Sequence, residues 1–507
     1  MAGAVSASGE IVLGPTQRNL AAFTLAISNF IVVLDMTVTN VSIPHIAGSL
    51  GVSLDQGSWV ITSYAVAEAL MVPLTGWLAL RFGPVRMYFL CMAGFALFSL
   101  LCAASLTLEM IVAARIGQGM FGGLLMPLSQ ALMLLIFPME QRAKAMMLAS
   151  MTAMLGPALG PNVGGIISDN LSWHWIFLLN LPIVGLCMAA NAYVLRGVRP
   201  ETRKVPIDAV GLALMITWIG CIQLILDLGR QRDWFADPLI VALGIVGVIS
   251  FVAFLIWELT EEHPIVDLRI FGQRSFAFGT VAMSMCFGGY FASIVVIPQW
   301  LQTYMGYPAA SAGMIVAGTS IAMFATIGLA ARLVNRVDPR LLVSFAIGWM
   351  GCMALVRSGW NNDVTTWNLI TPALLQGLGM SFFMMPLMVI SMGQIAAKDV
   401  ASATGLQSFV RTLSSAIGAA LALTAWGNAQ QQAQAEVVDK LQAGETVAQL
   451  SESGFSIEQA LGLIQRIVEK EAAVMALDQL FIYTAAIFFF GAAVIWLAPK
   501  PKLALKG

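Results

Sequence analysis

Four ionisable residues lie inside long apolar stretches of this sequence, namely Asp35, Glu68, Arg115 and Arg411. A charge in an apolar environment is costly unless it is paired or neutralised by a proton, so such residues are functional candidates. Burial raises the pKa of a carboxylate and a neighbouring Arg lowers it, so a conformational change that separates the two can make the carboxylate bind or release a proton. The chemistry that these residue types predict is reversible proton binding.

The first three of these residues are predicted to lie at one depth. Each lies about seven to nine residues from the same end of its apolar stretch, which at the helical rise of about 1.5 Å per residue is roughly 10 to 14 Å. We therefore expect Asp35 to carry the proton, with Glu68 and Arg115 tuning its affinity and the two carboxylates titrating as a coupled pair. The alternative is a static ion pair that only locks helices together. Arg411 has no acid matched to it in the later stretches, so a substrate anion or helix-end carbonyls are its expected partners.

The composition predicts the elements that must position these residues. The 507-residue chain is 59% hydrophobic and 10% charged, with a mean hydropathy of +0.83, whereas soluble proteins carry roughly 25% charged residues. About fourteen apolar windows are long enough to cross a bilayer as helices. They lie near 20–43, 58–79, 87–106, 109–135, 143–168, 175–195, 206–227, 238–258, 276–301, 310–332, 341–356, 367–392, 402–426 and 477–497. The predicted fold class is an all-α polytopic membrane protein.

Lys and Arg are about three times as frequent on one predicted side of the membrane as on the other. By the positive-inside rule, both termini are then cytoplasmic. We expect a cytoplasmic N-terminal segment at 1–19 and a cytoplasmic tail at 499–507.

Two internal repeats divide the chain into halves. GWLALRFGPVR at 76–86 is echoed by GLAARLVNRVDPR at 328–340, and QGMFGGLLMP at 118–127 by QGLGMSFFMMP at 376–386. The pattern predicts a six-helix half at 20–200, two inserted helices at 201–262 and a second six-helix half at 263–498. Repeated halves around a site at the membrane midplane are typical of secondary transporters.

Two glycine-rich motifs are expected to allow close approach or movement of helices. The fifth window carries GPALGPNVGG, in which the glycines recur every four residues and the prolines bend the helix; its members are Gly156, Pro157, Gly160, Pro161, Gly164 and Gly165. Generic helix packing is the alternative to a hinge or a seal between the halves. The loop after the second window contributes Gly76, Arg81, Gly83 and Arg86.

One predicted outside loop, 428–476, is far longer than a turn between two helices requires. Its Ala, Gln and Glu content and its apolar spacing at Ile457, Leu461, Ile464 and Val468 predict short amphipathic helices with a break near Gly454. We weigh a solvated connector and a partner-docking surface equally for this loop.

Enzymatic chemistry is disfavoured. The sequence contains no GxxxxGK[ST] phosphate loop, no HExxH and no GxSxG, and its three histidines lie at window ends or in loops. We predict neither catalytic residues nor a metal site nor a cofactor, and a proton gradient is the expected energy source.

Taken together, these motifs make the sequence resemble the fourteen-span drug:proton antiporters of the major facilitator superfamily, in particular the EmrB-type subgroup. LDMTVTNVSIP at 34–44, RIGQG at 115–119 and GPALGPNVGG carry the resemblance, along with IDAVGL, LDLGRQRDWF and WELTEEHPIVDL around the two inserted helices. One departure is Leu80, which stands where most of the superfamily has an Asp. The tenth window lacks the acid that some multidrug relatives use for cationic drugs, which favours neutral or anionic lipophilic substrates.

The resemblance implies a proton-coupled exporter of lipophilic drugs and toxic compounds in the bacterial inner membrane. It also implies a tripartite assembly with an EmrA-type periplasmic membrane fusion protein and a TolC-like outer-membrane channel. Windows one, four, nine and twelve would line the substrate cavity, and its expected contacts are Tyr290, Phe291, Phe383 and Met384. Two alternatives remain at this stage: a proton-coupled uptake carrier of a small organic solute, and a membrane scaffold or receptor that transports nothing.

Overall fold

The protein is an all-helical bundle. The computed structural model describes residues 4–5, 11–12, 14–138, 141, 145, 148, 155–156, 159–160, 163–168, 170–196, 202, 206–229, 232, 234–262, 264–334, 336–396, 399–440 and 456–500. Within these residues, thirteen helices are long and apolar enough to cross a membrane. The remaining predicted window, 143–168, falls largely outside the described residues, and those of its residues that are described are helical. The predicted fold class is confirmed.

The N-terminal half and the two inserted segments are built from nine described helices. They are α1 (Pro15–Leu50), α2 (Leu54–Met71), α3 (Thr75–Phe82), α4 (Pro84–Ala103), α5 (Leu108–Ile136), α6 (His174–Leu178), α7 (Asn180–Val194), α8 (Ala209–Leu228) and α9 (Pro238–Thr260). A 3-10 turn, Val72–Leu74, joins α2 to α3, so these two helices form one span. Residues Ala4–Val5 and Ile11–Val12 form a two-residue antiparallel strand pair, β1 and β2, ahead of the bundle.

The C-terminal half contributes six further described helices. They are α10 (Arg274–Thr303), α11 (Ala309–Leu333), α12 (Pro339–Arg357), α13 (Thr366–Met392), α14 (Val400–Lys440) and α15 (Ile457–Val494), with 3-10 turns at Leu268–Gly272 and Ile495–Leu497. A further 3-10 turn, Trp234–Ala236, lies between the two inserted helices α8 and α9. Local sequence sets where several helices begin. Proline occupies the first turn of α1, α4, α9 and α12. Backbone N–H groups in the first turn have no partner within the helix, so proline, which lacks this group, costs no hydrogen bond there.

The two halves meet at one end of the bundle, which we call the near end because α1 begins there. A Cβ atom added to Gly76 would lie 2.7 Å from Cα of Ser402, and one added to Gly405 would lie 3.3 Å from Cβ of Thr75. The near ends of α13 and α14 also supply Met388 and Leu406 to the apolar core of the N-terminal half. The other two apolar cores draw on C-terminal residues alone. The described conformation is therefore closed at the near end.

Two helices project from the opposite, far end. Helix α14 has 41 residues and α15 has 38, whereas about 20 suffice to cross a bilayer. The prediction of short separate helices is wrong for 428–440 and 457–476, because both segments continue a membrane helix without interruption. Gly454, the predicted break, lies outside the described residues. The projections pack side by side, and the Trp426 indole donates to the carbonyl of Ala473 at 3.0 Å.

The closed near end can be tested by cross-linking. In a Cys352→Ser background, which removes the exposed native thiol, we expect the pair Thr75→Cys and Gly405→Cys to form a disulfide under mild oxidation. Their Cβ separation of 3.3 Å is close to the usual range of about 3.5 to 4.5 Å. Mass spectrometry of the linked peptides would detect the bond. The control pair Thr75→Cys and Gly348→Cys should stay reduced, and equal cross-linking of both pairs would contradict the closed arrangement.

Candidate functional site

An ion pair lies in the interior of the N-terminal half. Nη1 of Arg115 on α5 donates to Oδ2 of Asp35 on α1 at 2.6 Å, and both side chains are 0% exposed. These two residues are in contact, as the sequence predicted. Their role in proton coupling stays a prediction. Breaking a buried pair by removing one partner leaves an uncompensated charge and is strongly unfavourable.

Two amides complete the environment of the carboxylate. Oδ1 of Asp35 accepts from Nε2 of Gln118 at 3.0 Å and from Nδ2 of Asn180 at 2.6 Å. The same two amides also donate to the hydroxyl of Ser99, at 2.8 and 3.1 Å. Asp35 thus accepts three hydrogen bonds from helices α5 and α7.

Sequence reasoning missed these polar partners. Gln118 follows Arg115 by three residues on the same helix face, and that spacing is a signal that could have found it. Asn180 and Ser99 are single polar residues in apolar windows, and nothing local distinguishes them from helix-packing polar residues. Only the packing of α4, α5 and α7 against α1 brings them to Asp35.

The guanidinium of Arg115 is held on several sides. Its Nε donates to the carbonyl of Val60 at 3.0 Å, its Nη1 also donates to Oε1 of Gln118 at 2.7 Å, and the ring of Tyr64 lies 4.2 Å from its central carbon. Its buried Nη2 has no hydrogen-bond partner among the described residues. One donor of Arg115 is therefore left for a group that this conformation does not supply.

Glu68 does not join the pair as predicted. It packs on Gly123 of α5, where a Cβ would lie 3.0 Å from Cα of Glu68, and Gly123 is eight residues beyond Arg115, or about 12 Å along the helix. The depth estimate failed because α2 begins at Leu54, ahead of the apolar window. Asp35 is not among the charged groups that act on Glu68, so in this conformation these two carboxylates do not form the coupled pair that was predicted.

Arg411 on α14 is the positive group that acts most strongly on Glu68, and Arg115 follows. The Arg411 guanidinium also contacts the sulfur of Met126 and lies 5.6 Å from the ring of Phe287. The sequence left the partner of Arg411 open. The attraction between Glu68 and Arg411 acts across the two halves.

The glycines of the fifth span approach α1 closely. Added Cβ atoms would lie 2.8 Å from Cβ of Val33 at Gly156 and 3.0 Å from the carbonyl oxygen of Val38 at Gly164. Gly160 faces Thr37, whereas Gly165 has nothing within 4 Å. Pro157 and Pro161 lie outside the described residues. These contacts are within one half, on the stretch of α1 that carries Asp35; the role of this motif as a hinge or a seal between the halves stays a prediction.

The loop motif at 76–86 lies at the near end. Gly76 faces Ser402 of the other half, and Gly83 has a φ of 86° where α3 gives way to α4. Arg81 lies over the rings of Trp77 and Phe82, at 5.2 and 5.7 Å, and Arg86 is exposed. Gly76 is the member of this motif that contacts the opposite half.

The predicted cavity residues lie in the apolar core of the C-terminal half. Tyr290, Phe383 and Met384 belong to this core, with half-buried Phe291 packed against it. The ring of Phe383 lies 6.1 Å from the ring of Phe287. Tyr290 also borders a small cavity there. In this conformation all four residues are packing residues.

The glycine contacts with α1 generate a stability prediction. We expect Gly156→Ala to lower the stability of the purified protein, because the new methyl group meets Val33 in a packed interface, and overpacking costs about 1 to 3 kcal/mol. Gly165→Ala is the matched control, since its Cβ points into open space. Thermal unfolding followed by circular dichroism measures both variants. A melting temperature for Gly156→Ala equal to that of Gly165→Ala would refute the close approach.

Comparison with known proteins agrees with this architecture. Residues 25–419 match the family model described as the Major Facilitator Superfamily. The crystal structure of the human organic anion transporter MFSD10 (TETRAN) superposes with a TM-score of 0.60 at 15% identity, covering 95% of this chain and 100% of that chain. That likeness concerns the fold.

Curated relatives are similar over nearly the whole sequence. The multidrug export protein EmrB of Escherichia coli is 36% identical over 96% of this chain and 96% of its own length. The fatty acid resistance protein FarB of Neisseria gonorrhoeae is 36% identical over 94% of this chain and 95% of its own length. The family model matches most of the sequence, the relatives are similar over their full length, and the buried ion pair lies within one of two repeated helical halves. The chain therefore belongs to the Major Facilitator Superfamily, among its EmrB-type transporters.

Proposed function

We propose that this transporter is a proton-coupled antiporter of the bacterial inner membrane that exports lipophilic drugs and toxic compounds, with both termini in the cytoplasm. The names of its relatives, a multidrug export protein and a fatty acid resistance protein, support export as the direction. The excess of Lys and Arg on one side supports the orientation. Charged groups at the centre of an otherwise apolar bundle support the proton gradient as the energy source.

The observation that carries the proposal is the environment of Asp35. Three donors contact its carboxylate, and one of them, Arg115, carries a positive charge that compensates an ionised Asp35. When Asp35 takes a proton, Arg115 loses its counter-ion in a site that excludes water. The protonated and ionised forms therefore favour different arrangements of the surrounding helices, which is the condition for a proton to shift a conformational equilibrium.

Arg115 can pass this change to the interface between the halves. It acts on Glu68 as well as on Asp35, and Glu68 is also attracted by Arg411 of the other half. With Asp35 protonated, the free charge of Arg115 competes with Arg411 for Glu68. The link between the halves is then weaker, and the closed near end can open.

The described conformation fits one stage of such a cycle. The halves are packed together at the near, cytoplasmic end through Gly76 and Ser402. This is the stage at which substrate leaves and a proton enters from the far side. Opening of the near end then releases the proton to the cytoplasm and admits the next substrate.

The far end offers the surface for partners. We include in the proposal an EmrA-type periplasmic adaptor and a TolC-like outer-membrane channel, so that exported compounds pass both membranes. The projections of α14 and α15 extend well beyond the membrane, and α15 exposes apolar side chains there, with Ile457 at 63% and Leu461 at 51% exposure. Exposed apolar residues on a projecting helix favour a protein contact.

Proton coupling can be tested directly. We expect Asp35→Asn to abolish proton release when a transported lipophilic compound is added to the purified protein, because the amide cannot exchange a proton. A pH-sensitive dye in weakly buffered solution measures the release. The control Asp237→Asn changes a partly exposed acid at the start of α9, away from Asp35, and should behave like wild type. Undiminished release from Asp35→Asn would overturn the assignment of this residue.

Adaptor docking has its own test. Replacing Ile457 and Leu461 with Ser should reduce co-purification of the adaptor at least several-fold, because the exposed apolar surface is lost, while proton release stays at the wild-type level. Gly462→Ser, at an open position on the same projection, is the control. Unchanged co-purification of the double variant would remove this surface from the proposal.

A further inference from the structure

Two acidic side chains of the inserted segment are buried beside each other. Asp208 directly precedes α8 and Glu258 lies in the last turn of α9, and they are 9% and 0% exposed. They belong to the stretches IDAVGL and WELTEEHPIVDL, and the proposed antiport mechanism uses neither of them. A buried acid requires a partner or a proton, so the surroundings of this pair indicate what it binds.

One oxygen of each carboxylate already accepts hydrogen bonds. Oδ1 of Asp208 accepts from the backbone N–H of Gly211 at 2.8 Å and from Nε1 of Trp257 at 2.9 Å. Oε2 of Glu258 accepts from the backbone N–H of Val266 at 3.3 Å. The other two oxygens, Oδ2 of Asp208 and Oε1 of Glu258, are buried without a hydrogen-bond partner among the described residues. Each acid thus keeps one oxygen for a ligand that these residues do not supply.

The two unpartnered oxygens lie against the same point on α8. A Cβ atom added to Gly211 would clash with Oδ2 of Asp208 and would lie 2.6 Å from Oε1 of Glu258. The absence of a side chain at Gly211 therefore allows both oxygens to occupy this place. Two ionised carboxylates that are such close neighbours repel each other, which favours a proton on one of them.

Among the described residues, no positive side chain compensates Glu258. The charged groups that act on it are Asp208 and Glu261, and both are acids. Helix α9 packs on α8 and on the 3-10 turn Leu268–Gly272. The cation of that turn, Arg269, donates to the backbone carbonyl of Glu261 at 2.8 Å. A proton is therefore the positive charge that this site lacks.

The ends of the two helices favour opposite charge states for the two acids. Asp208 caps the N-terminus of α8, where the partial positive charge of the helix stabilises an ionised carboxylate. Glu258 lies two residues before the end of α9 at Thr260, where the partial negative charge of the C-terminus disfavours an ionised carboxylate. The pair is thus arranged for one negative charge on Asp208 and one proton on Glu258.

We propose that Asp208 and Glu258 form a second proton-binding site, in which protonated Oε1 of Glu258 donates a hydrogen bond to Oδ2 of Asp208. The proton gives each unpartnered oxygen a partner and removes one of two neighbouring charges. It also joins the start of α8 to the end of α9. When the proton leaves, two like charges remain, and their repulsion separates these helix ends. The site goes beyond the proposed antiport function and does not depend on it.

The site adjoins the closed near end of the bundle. Nε1 of Trp77 on α3 donates to the carbonyl of Pro206 at 3.1 Å, two residues before Asp208. The preceding residue on α3, Gly76, faces Ser402 of the other half. A movement at the start of α8 thus occurs a few residues from the contact between the halves. In the proposed orientation this end is cytoplasmic, so the site responds to the pH of the cytoplasm.

Infrared difference spectroscopy of the purified full-length protein tests for the proton. Dodecyl maltoside is the detergent, because it has no carbonyl group that would overlap the C=O stretching band of a protonated carboxyl group. At neutral pH, we expect the difference between wild type and Glu258→Gln to contain one such band, which shifts in heavy water. The control Glu262→Gln changes an exposed acid four residues on, and its difference spectrum should contain carboxylate bands alone.

Two spectroscopic results would overturn the proposal. One is a carboxylate band, in place of the protonated band, in the difference between wild type and Glu258→Gln at neutral pH. The other is a shift of that carboxylate band when sodium or magnesium is added, which would assign the site to a metal ion and not to a proton.

The pH dependence of stability provides a second measurement. A proton that only the folded state holds stabilises the protein at low pH, and this contribution is lost as the pH rises. We expect Glu258→Gln to melt like wild type at about pH 5 and at a higher temperature than wild type at about pH 8, because its amide donates to Asp208 at every pH. Asp208→Asn, which removes one of the two charges, should flatten the pH dependence likewise. Parallel pH dependence of wild type and both variants would contradict the shared proton.

Discussion

The structure of the N-terminal half depends on neutralising one buried charge. Asp35 and Arg115 are both removed from solvent, and each would be strongly unfavourable alone. Their hydrogen bonds draw on α1, α2, α4, α5 and α7, so five helices must be in register for the charges to be satisfied together. Close glycine contacts on α1 and α5 allow that register, because they bring backbones together around the polar centre. The ion pair thus constrains the packing of this half.

Much of the fold follows from the sequence because a bilayer fixes the length of an apolar helix. Thirteen of the predicted windows correspond to described helices. The windows do not mark where helices end, since a helix can continue into water. That limit explains the misjudged depth of Glu68, whose helix begins before its window. It also explains the loop after α14, where both flanking helices simply continue.

The candidate site was predictable only in part, for a different reason. Residue type singled out Asp35 and Arg115, since charges in apolar stretches are rare and costly. The direction in which a side chain points around its helix depends on all the neighbouring helices, and one sequence does not encode it locally. Glu68 is therefore influenced most strongly by Arg411 of the other half and not by Asp35. Neutral polar residues such as Asn180 carry no such cost, so nothing in the sequence marked them.

The projecting helices have a mechanical consequence. Each is a continuous rod of about 60 Å, because 41 and 38 residues rise by about 1.5 Å per residue. Both are rooted in the C-terminal half, packed against its core. A tilt of that half by about 10° would move the tip of such a rod by about 10 Å relative to its root. The length of the two helices thus converts a small tilt within the membrane-spanning bundle into a displacement of the helix tips by several ångströms, which is large enough to alter a contact with a neighbouring protein.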